Sequence, residues 1–127
     1  MPAPLNCSCL CGAVRFTVTP PLDGLITCHC RDCQKVSGGG PAQLIGVPRE
    51  ALDVCDASAA VHTVTGSSGH PVHRYFCAKC GSPLWSLPEA YPDRAFVKVG
   101  AFDQDPGLGP KRAFFATSAP PWHGLDK

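Results

Sequence analysis

Cys28-His29-Cys30-Arg31-Asp32-Cys33 places three thiols within six residues, at C-x-C-x2-C spacing, and the rest of the chain is read outward from it. Side chains of an extended segment alternate between faces, so Cys28 and Cys30 project together while His29 points the other way. A turn after Cys30 then folds Cys33 back toward the same point. Three thiols is an informative number. Structural zinc normally closes with four protein ligands, whereas catalytic zinc keeps three and leaves a position for water or substrate. Three thiolates around Zn2+ leave a net charge of about minus one on a soft centre that suits a further sulfur ligand.

The other cysteines extend this pattern. Of the nine, Cys7, Cys9, Cys11, Cys28, Cys30, Cys33, Cys77 and Cys80 fall in C-x-C or C-x-x-C clusters, and only Cys55 stands apart. Adjacent C-x-C thiols on a strand seldom meet disulfide geometry, and an odd count leaves one thiol unpaired within the chain. Met1-Pro2-Ala3-Pro4-Leu5 has neither the basic start nor the apolar run of a secretion signal, so a reducing cytoplasm is expected and metal binding is favoured over a disulfide scaffold. Cys55 reads as a small buried hydrophobe.

With 127 residues the chain, 1–127, reads as a single domain, small enough for bound metal to contribute much of its folding free energy. Thirteen glycines and fourteen prolines punctuate a sequence that is 44% hydrophobic, which suits many short strands. Eleven basic against ten acidic residues provide no basic face for nucleic acid, and no apolar run approaches a membrane span.

Alternation marks the strands. Residues 7–18 read as one strand, on which Cys7 and Cys11 would lie about 13 Å apart, too far to share a zinc, so only one adjacent pair can serve. Leu25-Ile26-Thr27 delivers the triplet, Gln34-Lys35-Val36 reads as a short helical turn, and Ser37-Gly38-Gly39-Gly40-Pro41 stops it. That glycine run is either an anion-binding loop or a plain flexible one. Further strands are expected at Ala42 to Val47, at Leu52-Asp53-Val54, and in a hairpin of Val61 to Thr65 with Val72 to Phe76 around Gly66-Ser67-Ser68-Gly69. Leu84 to Leu87, Ala95 to Val99 and Arg112 to Thr117 complete the set, and long helices are absent. Cys77-Ala78-Lys79-Cys80-Gly81 is a zinc knuckle that a C-x-C pair from the first strand would close into a four-thiolate site.

The polar residues each carry two readings. His29 is read as packing or hydrogen-bonding rather than catalytic, while His62, His70, His73 or His123 could supply a fourth ligand and close the triplet as a structural site. Asp103 and Asp105, within Asp-Gln-Asp-Pro-Gly, read as turn formers rather than as acid/base carboxylates. Trp85 and Trp122 read as core or rim aromatics. Arg31, Lys35 and Arg74 flank the cysteine motifs and are the candidates for offsetting thiolate charge and for gripping the carboxylates of a thiol co-substrate.

Cys9-Leu10-Cys11-Gly12-Ala13-Val14-Arg15-Phe16, the triplet with Gln34-Lys35 and Ser37-Gly38, Phe76-Cys77-Ala78-Lys79-Cys80-Gly81-Ser82-Pro83-Leu84, and Val99-Gly100-Ala101-Phe102-Asp103 together resemble the successive motifs of the glutathione-dependent formaldehyde-activating enzyme family. The resemblance spans nearly the whole chain, and Trp122 is similar to that family's ending. It implies a mainly β fold of the β-tent type, with short antiparallel strands stapled by zinc. It implies two zinc ions, a structural one on Cys9, Cys11, Cys77 and Cys80 and a catalytic one on Cys28, Cys30 and Cys33, with Cys7 and Cys55 outside the pattern. The implied activity is that of a carbon-sulfur lyase joining glutathione, or another thiol, to a small aldehyde such as formaldehyde. The alternative is a non-catalytic zinc module that carries a thiol or small molecule or docks a protein.

Overall fold

The two apolar faces expected from the alternating strands pack against each other. A computed structural model describes residues 3–54 and 58–122, so Cys55 and His123 lie outside the described residues. Leu5–Ser8 (β1), Arg15–Val18 (β2) and Leu52–Val54 (β5) make a three-stranded antiparallel sheet in the order β1-β2-β5. The larger sheet has seven strands: Leu25–Cys28 (β3), Ala42–Pro48 (β4), Ala59–Thr65 (β6), Pro71–Cys77 (β7), Pro83–Pro88 (β8), Arg94–Lys98 (β9) and Pro110–Phe114 (β10), in the order β10-β3-β4-β9-β8-β7-β6. The helix Arg31–Ser37 (α1) leads directly out of β3. The fold is mainly β, the described residues hold no long helix, and no described helix is long and apolar enough to cross a membrane.

The main core lies where the sheets meet. Phe16 and Val18 of the small sheet bury with Ile45, Val47, Trp85 and Val97 of the large one. Phe16 meets Trp85 edge-on with ring centres 5.0 Å apart, and Tyr75 stacks on Trp85 at 5.0 Å. Trp85 is therefore a core aromatic, and Trp122 is half exposed. A second, smaller apolar cluster gathers Cys28, Cys33 and Ala42 with Leu44. Adjacent residues of a strand point to opposite faces, so β8 sends Trp85 into the main core and Ser86 to the side where the triplet sits.

Three expectations are corrected. The strand read over residues 7–18 is two strands, with a tight turn at residues 9–12. Gly12, at a φ of 80°, donates its N-H to the Cys9 carbonyl, and Cys9 in turn donates to the Val14 carbonyl. A left-handed φ comes without penalty only at glycine, and it reverses the chain between the cysteines. The helical turn begins at Arg31 rather than Gln34, because the Cys30 side chain caps it by accepting from the Cys33 N-H. The last strand is Pro110–Phe114, pairs parallel with β3 where antiparallel pairing was expected, and ends at Phe115, whose φ of 56° turns the chain into Ala116–Ser118. The glycine run caps α1: Gly38, at a φ of 76°, donates its N-H to the Gln34 carbonyl.

Candidate metal centres and an adjoining cavity

The turn at residues 9–12 and the knuckle after β7 meet across the chain. Leu10 donates its N-H to Ser82 Oγ at 3.0 Å, and Cys77 donates to the Ser82 carbonyl at 3.0 Å. This brings the sulfurs of Cys9, Cys11, Cys77 and Cys80 within 4.8 Å of one another. Cys9 and Cys11 are 3.7 Å apart, and Cys11 and Cys77 3.8 Å. Four sulfurs at 2.3 Å from a tetrahedral ion would be separated by about 3.8 Å, so the spacing fits a metal and is far too long for disulfides. Backbone N-H groups point at the same sulfurs, Val14 to Cys9 at 3.2 Å and Lys79 and Cys80 to Cys77 at 3.3 and 3.4 Å. Such donors stabilise a thiolate more than a neutral thiol. At the edge of this cluster the Ser82 hydroxyl and further hydrogen bonds hold Cys80 down at about 5.

Cys7 takes no part in this cluster. It is buried on β1 opposite Phe16, and its thiol is directed at the Leu5 carbonyl. Burial, and then the charge of Asp103, push the thiol up to about 12. The pair that faces the knuckle is Cys9 and Cys11, because the turn, and not strand alternation, aims them.

The triplet is assembled by the junction of β3 and α1. Cys28 ends the strand, Cys30 occupies the cap, and Cys33 lies in the first turn of the helix. Their sulfurs also lie within 4.8 Å of one another, and among the described residues no histidine or carboxylate joins them. Three thiols this close cannot all ionise without a cation beside them. The hydrogen bond from Cys33 draws Cys28 below the usual thiol range, and the same contact with burial drives Cys33 above it. Both clusters therefore have the donor chemistry to hold a metal ion.

The histidines are engaged elsewhere. His29 is buried, and its backbone N-H donates to the Phe114 carbonyl, tying the triplet to β10. His73 is held between Thr63 and Glu89 at 2.8 and 2.7 Å, His70 sits in the hairpin turn against Ser68, and His62 is exposed on β6. Asp105 is a turn former that accepts from the Gly107 N-H, while Asp103 accepts from the Ser8 hydroxyl.

A cavity of about 680 Å³ opens over the triplet. Its walls include Arg31 and Arg74, with Tyr91, Phe114 and Phe115 as exposed aromatics at its rim. Arg31 is anchored through Gln34, whose amide donates to the carbonyls of His29 and Ser118, both at 2.9 Å. Lys35 is exposed one turn further along α1 and is not part of these walls.

Lys98 and Ser86 were not singled out in the sequence. Burial lowers the Lys98 pKa, the nearby Cys33 sulfur opposes this when it is ionised, and Arg74 adds to the lowering. The signal available was phase: Lys98 interrupts Val97-Lys98-Val99 and Ser86 interrupts Trp85-Ser86-Leu87, and only the sheet register shows which face each polar side chain enters.

Comparison with known proteins places the chain in a family and agrees with the fold. The sequence model of the glutathione-dependent formaldehyde-activating enzyme family matches residues 4–118. A Halomonas elongata protein bearing that family's name is 32% identical in an alignment that covers 93% of this chain and 78% of the relative. The crystal structure of a Rhodobacter sphaeroides protein shares the fold, with a TM-score of 0.66 at 20% identity over 84% of this chain and 98% of that one. On the extent of the family match and the identity to the Halomonas protein, the chain belongs to the glutathione-dependent formaldehyde-activating enzyme family.

Proposed function

We propose that this protein is a zinc-dependent carbon-sulfur lyase that joins a thiol such as glutathione to a small aldehyde such as formaldehyde, or splits the adduct. In this reading Cys28, Cys30 and Cys33 hold the catalytic zinc, and Cys9, Cys11, Cys77 and Cys80 hold a second, structural zinc. The chain acts as one domain in a reducing cytoplasm that keeps its thiols free. The observation that supports it is the difference between the two clusters: one gathers four thiols, the other only three at the wall of a large cavity. A zinc at the triplet supplies a deprotonated thiol at neutral pH and an electrophilic centre for a carbonyl oxygen.

The remaining roles fall to side chains around the triplet. Arg31, fixed through Gln34 at the edge of the cavity, suits a carboxylate at the far end of a thiol such as glutathione. Lys98 and Arg74 offset thiolate charge as a fourth sulfur approaches. Tyr91, Phe114 and Phe115 shield the reacting atoms from water. Lys35 serves a ligand that extends beyond the cavity.

Cobalt substitution at the more labile site tests the proposal. Adding glutathione should strengthen the sulfur-to-cobalt charge-transfer band, and Arg31→Ala should require more glutathione to reach the same intensity. Silence toward glutathione and toward simpler thiols at every pH would reject it in favour of the carrier or docking module.

A further inference from the structure

The face of the large sheet that ends at the triplet carries more positive charge than a neutral aldehyde calls for. Arg74 on β7 lies directly opposite Ser86 on β8, and Ser86 opposite Phe96 on β9. Directly paired residues share a face, and Lys98, two residues beyond Phe96, shares it too. Arg74 Nε, Ser86 Oγ and Lys98 Nζ are buried and have no hydrogen-bond partner. Native proteins leave few such atoms unpaired, so three of them on adjacent strands mark a place where a ligand supplies the acceptors. The described ion pairs, His73 with Glu89 and Arg94 with Asp23, include neither Arg74 nor Lys98.

Charge balance points the same way. A divalent ion on three thiolates carries about minus one, which one of the two cations offsets. Lys98 is the one set beside the thiols of the triplet, and Arg74 is left at an apolar slot, where a lone charge is unfavourable. That slot has a volume of about 180 Å³, adjoins Cys28 and Cys33, is walled by Ile26, Leu44, Val72, Phe96 and Phe114, and has Arg74 and Ser86 among its few polar residues. At about 30 Å³ per water molecule it has room for roughly six small groups. The slot suits a small ligand, whereas the cavity of about 680 Å³ that shares Cys28, Cys33 and Arg74 with it has room for a tripeptide thiol.

We infer that Arg74 and Ser86, supported by Lys98, form a carboxylate seat, and that the carbonyl partner is a short 2-oxo carboxylate in which an aldehyde carbon is bonded directly to the carboxylate. This deepens the thiol-addition reading above and rests on it. With the carboxylate on Arg74 and Ser86, the carbonyl carbon lies on the triplet side of the slot. The thiolate sulfur forms a bond to that carbon, the carbonyl π pair moves to oxygen, and the oxygen takes from solvent the one proton that the thiol released on ionising. The product is a 2-hydroxy-2-thio carboxylate, formed without oxidant or reductant.

Calorimetric titration of the metal-loaded protein with glyoxylate, without thiol, tests the seat. Wild type should bind glyoxylate and discriminate against acetaldehyde, which lacks the carboxylate. Arg74→Met should weaken glyoxylate roughly ten- to hundredfold, as expected for loss of a charge-assisted hydrogen bond, and Arg74→Lys should recover part of the loss. Ser86→Ala, which removes only a hydroxyl, should weaken it several-fold and decides the matter if Arg74→Met folds poorly by circular dichroism. Absence of binding, or equal affinity in wild type and the folded variants, overturns the inference. A glutathione carboxylate could use the same seat. Arg74→Met would then weaken glutathione but not 2-mercaptoethanol and leave glyoxylate unchanged, which also overturns it. Formation of a formaldehyde adduct by a protein that does not bind glyoxylate would remove the 2-oxo carboxylate and leave thiol addition standing, whereas cobalt silence toward all thiols removes the thiol reading itself.

Discussion

The two cysteine clusters use the same atoms to opposite ends. One joins residues 66 apart, Cys11 and Cys77, and so ties the first hairpin to the far side of the large sheet. The other lies within six consecutive residues and constrains little beyond the β3–α1 junction. Closing a long loop removes far more freedom from the unfolded chain than closing a short one. Metal bound at the first cluster would therefore act on folding, while metal at the second would be free to act on ligands. Their surroundings differ as well: backbone N-H groups and Ser82 surround the first, and Lys98 and Arg74 face the second.

The largest contrast should come from removing one ligand of each. Cys80→Ser, and likewise Cys11→Ser, should give insoluble or unfolded protein, since the metal energy at stake is about 10 kcal/mol or more and net stability is of order 5–15 kcal/mol. Cys33→Ser should remain soluble with native circular dichroism and about half the metal. A folded, fully metallated Cys80→Ser would erase the distinction between the clusters.

Chelator titration reads the same difference without mutation. One equivalent of zinc should leave while the far-ultraviolet spectrum is unchanged, and the second should leave together with the fold. Loss of both in a single step, or a single zinc per chain, would show that the clusters are not independent.

Lys98→Met keeps the length of the side chain and removes its charge. Loss of a partly screened cation near the triplet is worth about 1–2 kcal/mol, so thiol affinity measured with the cobalt-substituted protein should fall roughly tenfold. Metal in the four-thiol cluster should be unaffected. An equal effect on both clusters would mean that Lys98 supports the fold rather than the cavity.

The smallest effect belongs to Cys7. Its buried thiol touches the core and neither cluster, so Cys7→Ala should cost about 1 kcal/mol in denaturant unfolding and leave metal content unchanged. If Cys7→Ala loses metal while Cys11→Ser keeps it, the first cluster has been given the wrong pair.

What could be read from the chain follows the range of the interaction concerned. C-x-C-x2-C and C-x-x-C fix sulfurs to a common point through a few bonds, so the grouping of the triplet and the knuckle was legible before any tertiary contact was known. Strands such as Ala42–Pro48 and Pro71–Cys77 were legible because alternation is a local consequence of the pleat. The break between Ser8 and Arg15 was not, since a strand of alternating cysteines and a hairpin turn of cysteines look alike until Gly12 takes its left-handed conformation. The parallel docking of Pro110–Phe114 on β3 likewise depends on a long-range pairing that no local pattern records. Lys98, Ser86 and Arg74 come from three strands, and their meeting depends on sheet register, in which a shift of one residue would turn each to the opposite face. Sequence alone determined which thiols of the triplet and of the knuckle are grouped, because that grouping is carried by neighbours in the chain; which pair of Cys7, Cys9 and Cys11 completes the knuckle waited on the turn at Gly12. Tertiary structure decided which charges those atoms face, because electrostatic environment is made by residues brought together only by the fold.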